Sequence, residues 1–312
     1  MAFDLLELQS GNVICGRVES AADSIDGEIV LTKEIAGRIG GSFVYWLSQK
    51  VQKNPTMINI CIGRDPRPSG DVLKEGVLEA VSLWGAKGHD AGIVVTDAAR
   101  RSTEIPQFEF DGAVMITGGD SQIDINGFRF FTSDDEPDSE DIKEILRLAA
   151  KYNFIGGVYD EKNVDLMPTY AAYTRQSLAQ MLSRTPGYFK DMHFLFDARC
   201  GSGGFFATDV IAKLGADISG SCNLDADSDF MLHSPPYDST EVIEEMKLKV
   251  KKEDADLGIV FSFDAGKLAA VTQDDIIFAD GNKVAEIVAD VVSQKAAEAA
   301  AGADLQKPTE EK

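Results

Sequence analysis

Cysteine and histidine are scarce in this chain. Four cysteines, Cys15, Cys61, Cys200 and Cys222, are spread over 312 residues without a Cys-x-x-Cys pair. That spacing argues for reduced thiols and against a disulfide frame or a structural zinc site. The three histidines, His89, His193 and His233, are equally dispersed, so no metal cluster is built on them. No apolar run approaches the roughly 18 residues of a membrane span. The opening Met1-Ala2-Phe3-Asp4-Leu5-Leu6-Glu7-Leu8 has no basic stretch before an apolar core, as a secretory leader would. The expectation is a soluble intracellular protein, of the cytoplasm or of an organelle stroma, a plastid included.

Positive charge is also short. Thirty Lys and Arg face 52 Asp and Glu, for a formal charge of −22. With no local basic patch, general nucleic-acid binding is excluded, and a phosphosugar would need a focused basic cleft. The run Asp134-Asp135-Glu136, continued by Asp138, Glu140 and Asp141, is expected to be a solvated loop and a helix start, where the helix dipole favours carboxylates; a recruitment surface is the alternative.

What is present is a globular composition, 44% hydrophobic and 26% charged. The length suits about two domains at about 150 residues each. From Ile58 onward, apolar runs of strand length alternate with helical patterns, which predicts an α/β fold with largely buried strands. Strands are predicted at 58–63, 92–96, 112–117, 193–197, 256–261 and 268–271, with helices over 72–84, 170–182, 205–214 and around 283–292. The glycine turn Gly201-Ser202-Gly203-Gly204 precedes a helix and could cradle a phosphate, but Phe206 stands where a GxGxxG motif needs glycine. A structural turn is the expected role. The units are read as 1–151, 152–254 and 255–295, with 296–312 as a solvated tail that could begin as helix.

Three segments carry a family resemblance. The run Gly63-Arg64-Asp65-Pro66-Arg67-Pro68-Ser69-Gly70 matches Gly-Arg-Asp-x-Arg-x-Ser-Gly without a gap. Met115 to Phe131 keeps Thr117 and the block Asn126-Gly127-Phe128-Arg129-Phe130, and Phe196 to Gly204 is similar to a second-domain glycine turn. On these residues the chain resembles the α-D-phosphohexomutases, the phosphoglucomutase and phosphomannomutase superfamily, as far as about Val292. The resemblance implies consecutive α/β domains of mixed sheets flanked by helices, with the third domain incomplete and the fourth absent.

The departures fall where the family's chemistry lies. Gly119 occupies the position of the phosphoserine and Asp120 that of the following His. Glycine has no atom that can carry a phosphoryl group, which leaves Asp120 or Ser121 as weak substitutes. In the loop resembling the family's metal site, Ser262 and Gly266 stand at two ligand positions; only Asp264 is kept, and Lys267 replaces an arginine. One carboxylate beside a hydroxyl makes a poor site for a hard divalent cation. Cys15 falls where the amino-terminal segment of the family carries an arginine. Arg64, Arg67, Arg129 and Lys267 are the remaining candidates to attract phosphate; pairing of the three arginines with the many acidic groups, at the surface or between domains, is the other expectation.

Lost chemistry on a kept frame implies a pseudoenzyme acting as a structural or regulatory subunit. A protein partner or a second copy is expected to cover the incomplete third unit. The alternatives are a divergent or split mutase acting on a hexose phosphate, or a phosphosugar sensor. No cofactor is expected, and Mg2+ only under the enzyme reading.

Overall fold

The computed structural model describes residues 4–18, 30–108, 110–152, 156–160, 162–182, 189–231 and 234–305. Its first layer is a seven-stranded sheet of β1 (Gln9–Ser10), β2 (Val13–Val18), β3 (Val30–Leu31), β4 (Asn59–Arg64), β5 (Lys87–Ile93), β6 (Gly112–Ile116) and β7 (Ile125–Thr132). The strand order is β1-β2-β7-β6-β4-β5, with β3 beside β2. β4 runs parallel to both β5 and β6, whereas β7 is antiparallel to β6 and β2. Ile60, Cys61 and Ile62 on β4, and Ala113 to Ile116 on β6, are buried on both faces. That is why their apolar runs are continuous instead of alternating.

Helices α1 (Lys33–Lys50), α2 (Gly70–Leu83) and α3 (Thr96–Arg101) pack on this sheet with α4 (Ser139–Lys151). The Thr32 hydroxyl accepts from the Ile35 amide and starts α1. α1 and α2 approach so closely at Gly76 that a Cβ there would lie 2.2 Å from the Lys33 carbonyl oxygen. The acidic run ends as expected: Asp138 caps α4 through a capping box with Asp141, and Glu140 and Asp141 lie in its first turn.

The second layer is a four-stranded sheet, β8 (Phe194–Asp197), β9 (Leu257–Phe261), β10 (Lys267–Val271) and β11 (Ile276–Asp280), in the order β11-β10-β9-β8. Helix α5 (Leu166–Met181) precedes it. A π-helical turn, Phe206–Ile211, runs into α6 (Ala212–Leu214), and α7 (Ser228–Met231) and α8 (Thr240–Glu253) follow before α9 (Val284–Leu305).

Several expectations change. The strand expected at 92–96 lies earlier: β5 spans Lys87–Ile93, residues 94 and 95 are outside it, and Thr96 opens α3. β5 is an edge strand with half-exposed, partly polar residues, so the apolar-run reading slid past it. The boundary expected at 254/255 lies inside one sheet, because β8 pairs in parallel with β9 from Phe194↔Leu257 to Asp197↔Val260. Such a pairing needs a long crossover, here including α8, and composition alone does not reveal it. The helix α9 takes in 296–305 of the expected tail; residues 306–312 and His233 lie outside the described residues.

An apolar cluster joins the layers, from Cys61, Met115 and Phe131 on the first sheet to Phe196, Leu257 and Phe261 on the second.

Candidate functional site

The loops that follow β6 and β9 face one another across a cleft of about 450 Å³. Its lining includes Cys15, Gly119, Asp120, Ser121, Arg129, Asp264 and Lys267, together with Asp280 from the end of β11. The fold therefore brings together most of the residues that the motifs single out.

Gly119 adopts a left-handed backbone, φ 58°, which glycine enters at little cost. A Cβ at this position would point into open space. The amide of Gly119 donates to the Thr117 hydroxyl at 2.8 Å. The loop thus presents backbone to the cleft at Gly119. Burial pushes the Asp120 carboxyl above its usual range, although Lys267 opposes this. Lys267 Nζ donates to Asp120 Oδ2 at 2.8 Å and is raised in turn, chiefly by that hydrogen bond.

Arg67 is fully buried beneath the loop and does not line the cleft. Its Nη1 pairs with Asp65, and its Nη2 donates to the carbonyls of Gly119 at 3.0 Å and Ser121 at 2.7 Å. The guanidinium therefore shapes the loop from within. Arg64 is also absent from the lining; it pairs with Asp71 at 2.9 Å on the side of α2. Arg129 does line the cleft, with its fork closed on Glu136 at 3.0–3.2 Å. Each of the four expected phosphate-binding cations is thus held by a carboxylate of its own chain.

Asp264 is buried and surrounded by donors. Its Oδ2 accepts from the Thr96 hydroxyl at 2.8 Å and lies 3.2 Å from the Thr117 hydroxyl. Its Oδ1 accepts from the Ser262 hydroxyl at 3.0 Å and the Gly266 amide at 2.8 Å. A magnesium ion, which the family resemblance raises, needs several oxygen ligands in open octahedral geometry. Here hydrogen-bond donors occupy those directions, and Lys267 opens β10 directly after the loop. Among the described residues, no group of three or more His, Cys, Asp or Glu could hold a metal ion. The residues do not fit the ion.

Thr117 links the two layers, because its single hydroxyl proton lies between Asp264 and Asp65, with Asp65 Oδ2 at 2.8 Å. Burial raises the Asp65 carboxyl, Arg67 pulls it down and Asp264 adds to the rise. The Gly201–Gly204 turn also acts structurally: the Ser202 amide donates to the Phe263 carbonyl at 2.8 Å and so braces the same loop.

Sequence reading missed Thr96 and Asp280. Thr96 was placed at a strand end, and Asp280 lay beyond every motif. The mark of Asp65 was its place in an ungapped motif, which gave no sign of its burial.

Residues 19–155 match the family model for phosphoglucomutase/phosphomannomutase, alpha/beta/alpha domain I. The chain is 25% identical over 280 residues to a phosphomannomutase/phosphoglucomutase of Pseudomonas aeruginosa, covering 88% of this chain and 58% of that protein. It is 27% identical over 274 residues to a phosphoglucomutase of Neisseria gonorrhoeae, covering 82% and 56%. The fold is similar to that of a phosphoglucomutase/phosphomannomutase family protein from Burkholderia thailandensis, with a TM-score of 0.68 at 20% identity over 89% of this chain and 57% of that one. Together these matches support a member of the phosphohexomutase superfamily. It spans just over half the length of the relatives it matches. No helix among the described residues is long and apolar enough to cross a membrane.

Proposed function

We propose that this phosphohexomutase-family chain does not turn over hexose phosphates by itself and works through protein contacts, as a structural or regulatory subunit. The observation that carries this reading is the self-satisfied cleft. Its nucleophile position is the bare backbone of Gly119, and the nearest ammonium, that of Lys267, is spent on Asp120. Phosphoryl transfer is catalysed by positioning and by charge neutralisation. Here the positive groups are neutralised before any phosphate arrives.

The test has two arms. The purified chain is assayed for interconversion of glucose 1-phosphate and glucose 6-phosphate with Mg2+ and glucose 1,6-bisphosphate. Its native mass in a gentle extract is then measured and the copurifying proteins identified. No turnover together with stable comigration in a larger complex is the expected result. Metal-dependent turnover by the chain alone would overturn the reading.

A second reading is supported by the relatives' names, phosphomannomutase and phosphoglucomutase, and by the share of their length that the chain spans. The chain would then be one part of a divergent or split mutase, completed by a second polypeptide. Activity that appears only on adding the copurified partner would favour it.

A further inference from the structure

β11 lies at the end of its sheet, with β10 as its one ladder neighbour among the described residues. Ile277 and Phe278, adjacent and therefore on opposite faces of the strand, are 47% and 55% exposed. A strand edge with exposed apolar side chains is a template for pairing with another chain. β11 carries no Pro or Lys to block this.

The charge around the edge selects the occupant. Asp274 and Asp275 precede the strand, Asp280 closes it, and all three are exposed. Asp254 lies at the same end, where it accepts from Gln273 at 3.0 Å. The nearby cations are already engaged: Lys267, opposite Asp280 in the ladder, pairs with Asp120, and Lys283 pairs with Glu286. A second copy added antiparallel would bring the same carboxylates onto one short ladder, between chains that each carry −22. Like charges opposed in this way are destabilising.

Resting on the subunit reading above, we propose that the free edge of β11 receives an extended segment of a different protein, with apolar or β-branched residues in the middle and lysine or arginine at its ends. Backbone hydrogen bonds would give the affinity, Ile277 and Phe278 the side-chain contacts, and the flanking carboxylates the selectivity.

The experiment uses the full chain and two synthetic peptides of alternating valine and threonine, one ended by lysines and the other by glutamates. Binding is read by fluorescence anisotropy, and the site by hydrogen exchange at the amides of 276–280. The lysine-ended peptide should protect these amides, bind at least tenfold more tightly than the glutamate-ended one, and weaken as salt is raised. Asp274→Lys, at an exposed turn position, should lower its affinity several-fold with an unchanged melting temperature; Phe278→Lys, checked for folding by circular dichroism, should abolish protection. Equal binding of both peptides, or no protection at 276–280, overturns the proposal. Protection of the same amides by self-association, with a dimer in the native mass, overturns it in favour of a second copy. Mutase turnover by the chain alone would remove the subunit reading and leave peptide binding at β11 untouched, so the two failures are distinguishable.

Discussion

Lys267 Nζ lies 2.8 Å from Asp120 Oδ2, joining the loop after β6 to the start of β10 across the cleft. A carboxylate thus occupies the ammonium that a phosphate would seek.

The pair should show its worth at alkaline pH. The hydrogen bond that Lys267 donates to Asp120 raises the lysine above its ordinary 10.5. A raised lysine contributes stability that is fully present below the unfolded value and is lost as pH climbs through the folded one. Wild type and Lys267→Gln should therefore differ in urea midpoint at pH 9, and the difference should shrink above about pH 10.5 as the ammonium loses its proton. A difference constant with pH would remove the ion pair as its cause.

Gly119→Ser places a hydroxyl where the family resemblance puts the nucleophile; under the proposed reading it should not produce turnover, since among the described residues no group fits the metal and the cations of the cleft stay paired. The serine enters a left-handed backbone at φ 58°, at a cost of about 1 kcal/mol. Glucose 1-phosphate conversion and a denaturant midpoint check the two halves of this expectation. Turnover by this single variant would show that the remaining machinery is intact.

Arg67→Met should be among the most damaging substitutions. It leaves the Asp65 carboxylate buried without its partner and releases the carbonyls of Gly119 and Ser121. Removing one member of a buried pair costs about 3–5 kcal/mol. The double variant Asp65→Leu/Arg67→Met should recover part of that loss in equilibrium denaturation.

Gly76→Ala, ordinarily a gain within a helix, should destabilise here by about 1–3 kcal/mol, as overpacking does. The added methyl meets the Lys33 carbonyl at 2.2 Å, and a backbone oxygen cannot turn aside. A rise in denaturant midpoint would contradict the packing of α1 on α2.

The sequence made the frame legible wherever burial acts on contiguous residues. β4, β6 and β9 announce themselves as unbroken apolar runs, and Gly63 to Gly70 as an ungapped motif. β5 escaped because its exposed, partly polar edge breaks that pattern, and the pairing of β8 with β9 escaped because it joins segments separated by α8. At the site, the residue types at Gly119, Asp120, Asp264 and Lys267 were readable. What each side chain holds was not, because the partners come from elsewhere in the chain: Thr96 reaches Asp264 over 168 positions. The arginines were read from their motifs and their charge, and neither tells an internal brace such as Arg67 from a ligand-facing group.

The apolar cluster that runs from Met115 and Phe131 to Phe196 and Phe261 makes the two walls of the cleft a single block. Neither sheet can swing away from the other without wetting phenylalanines that both use. Heat should therefore meet one cooperative body and produce one calorimetric transition. A fragment cut near residue 151 would carry an apolar scar where α5 and the second sheet had been. The two walls of the cleft should then form and melt together.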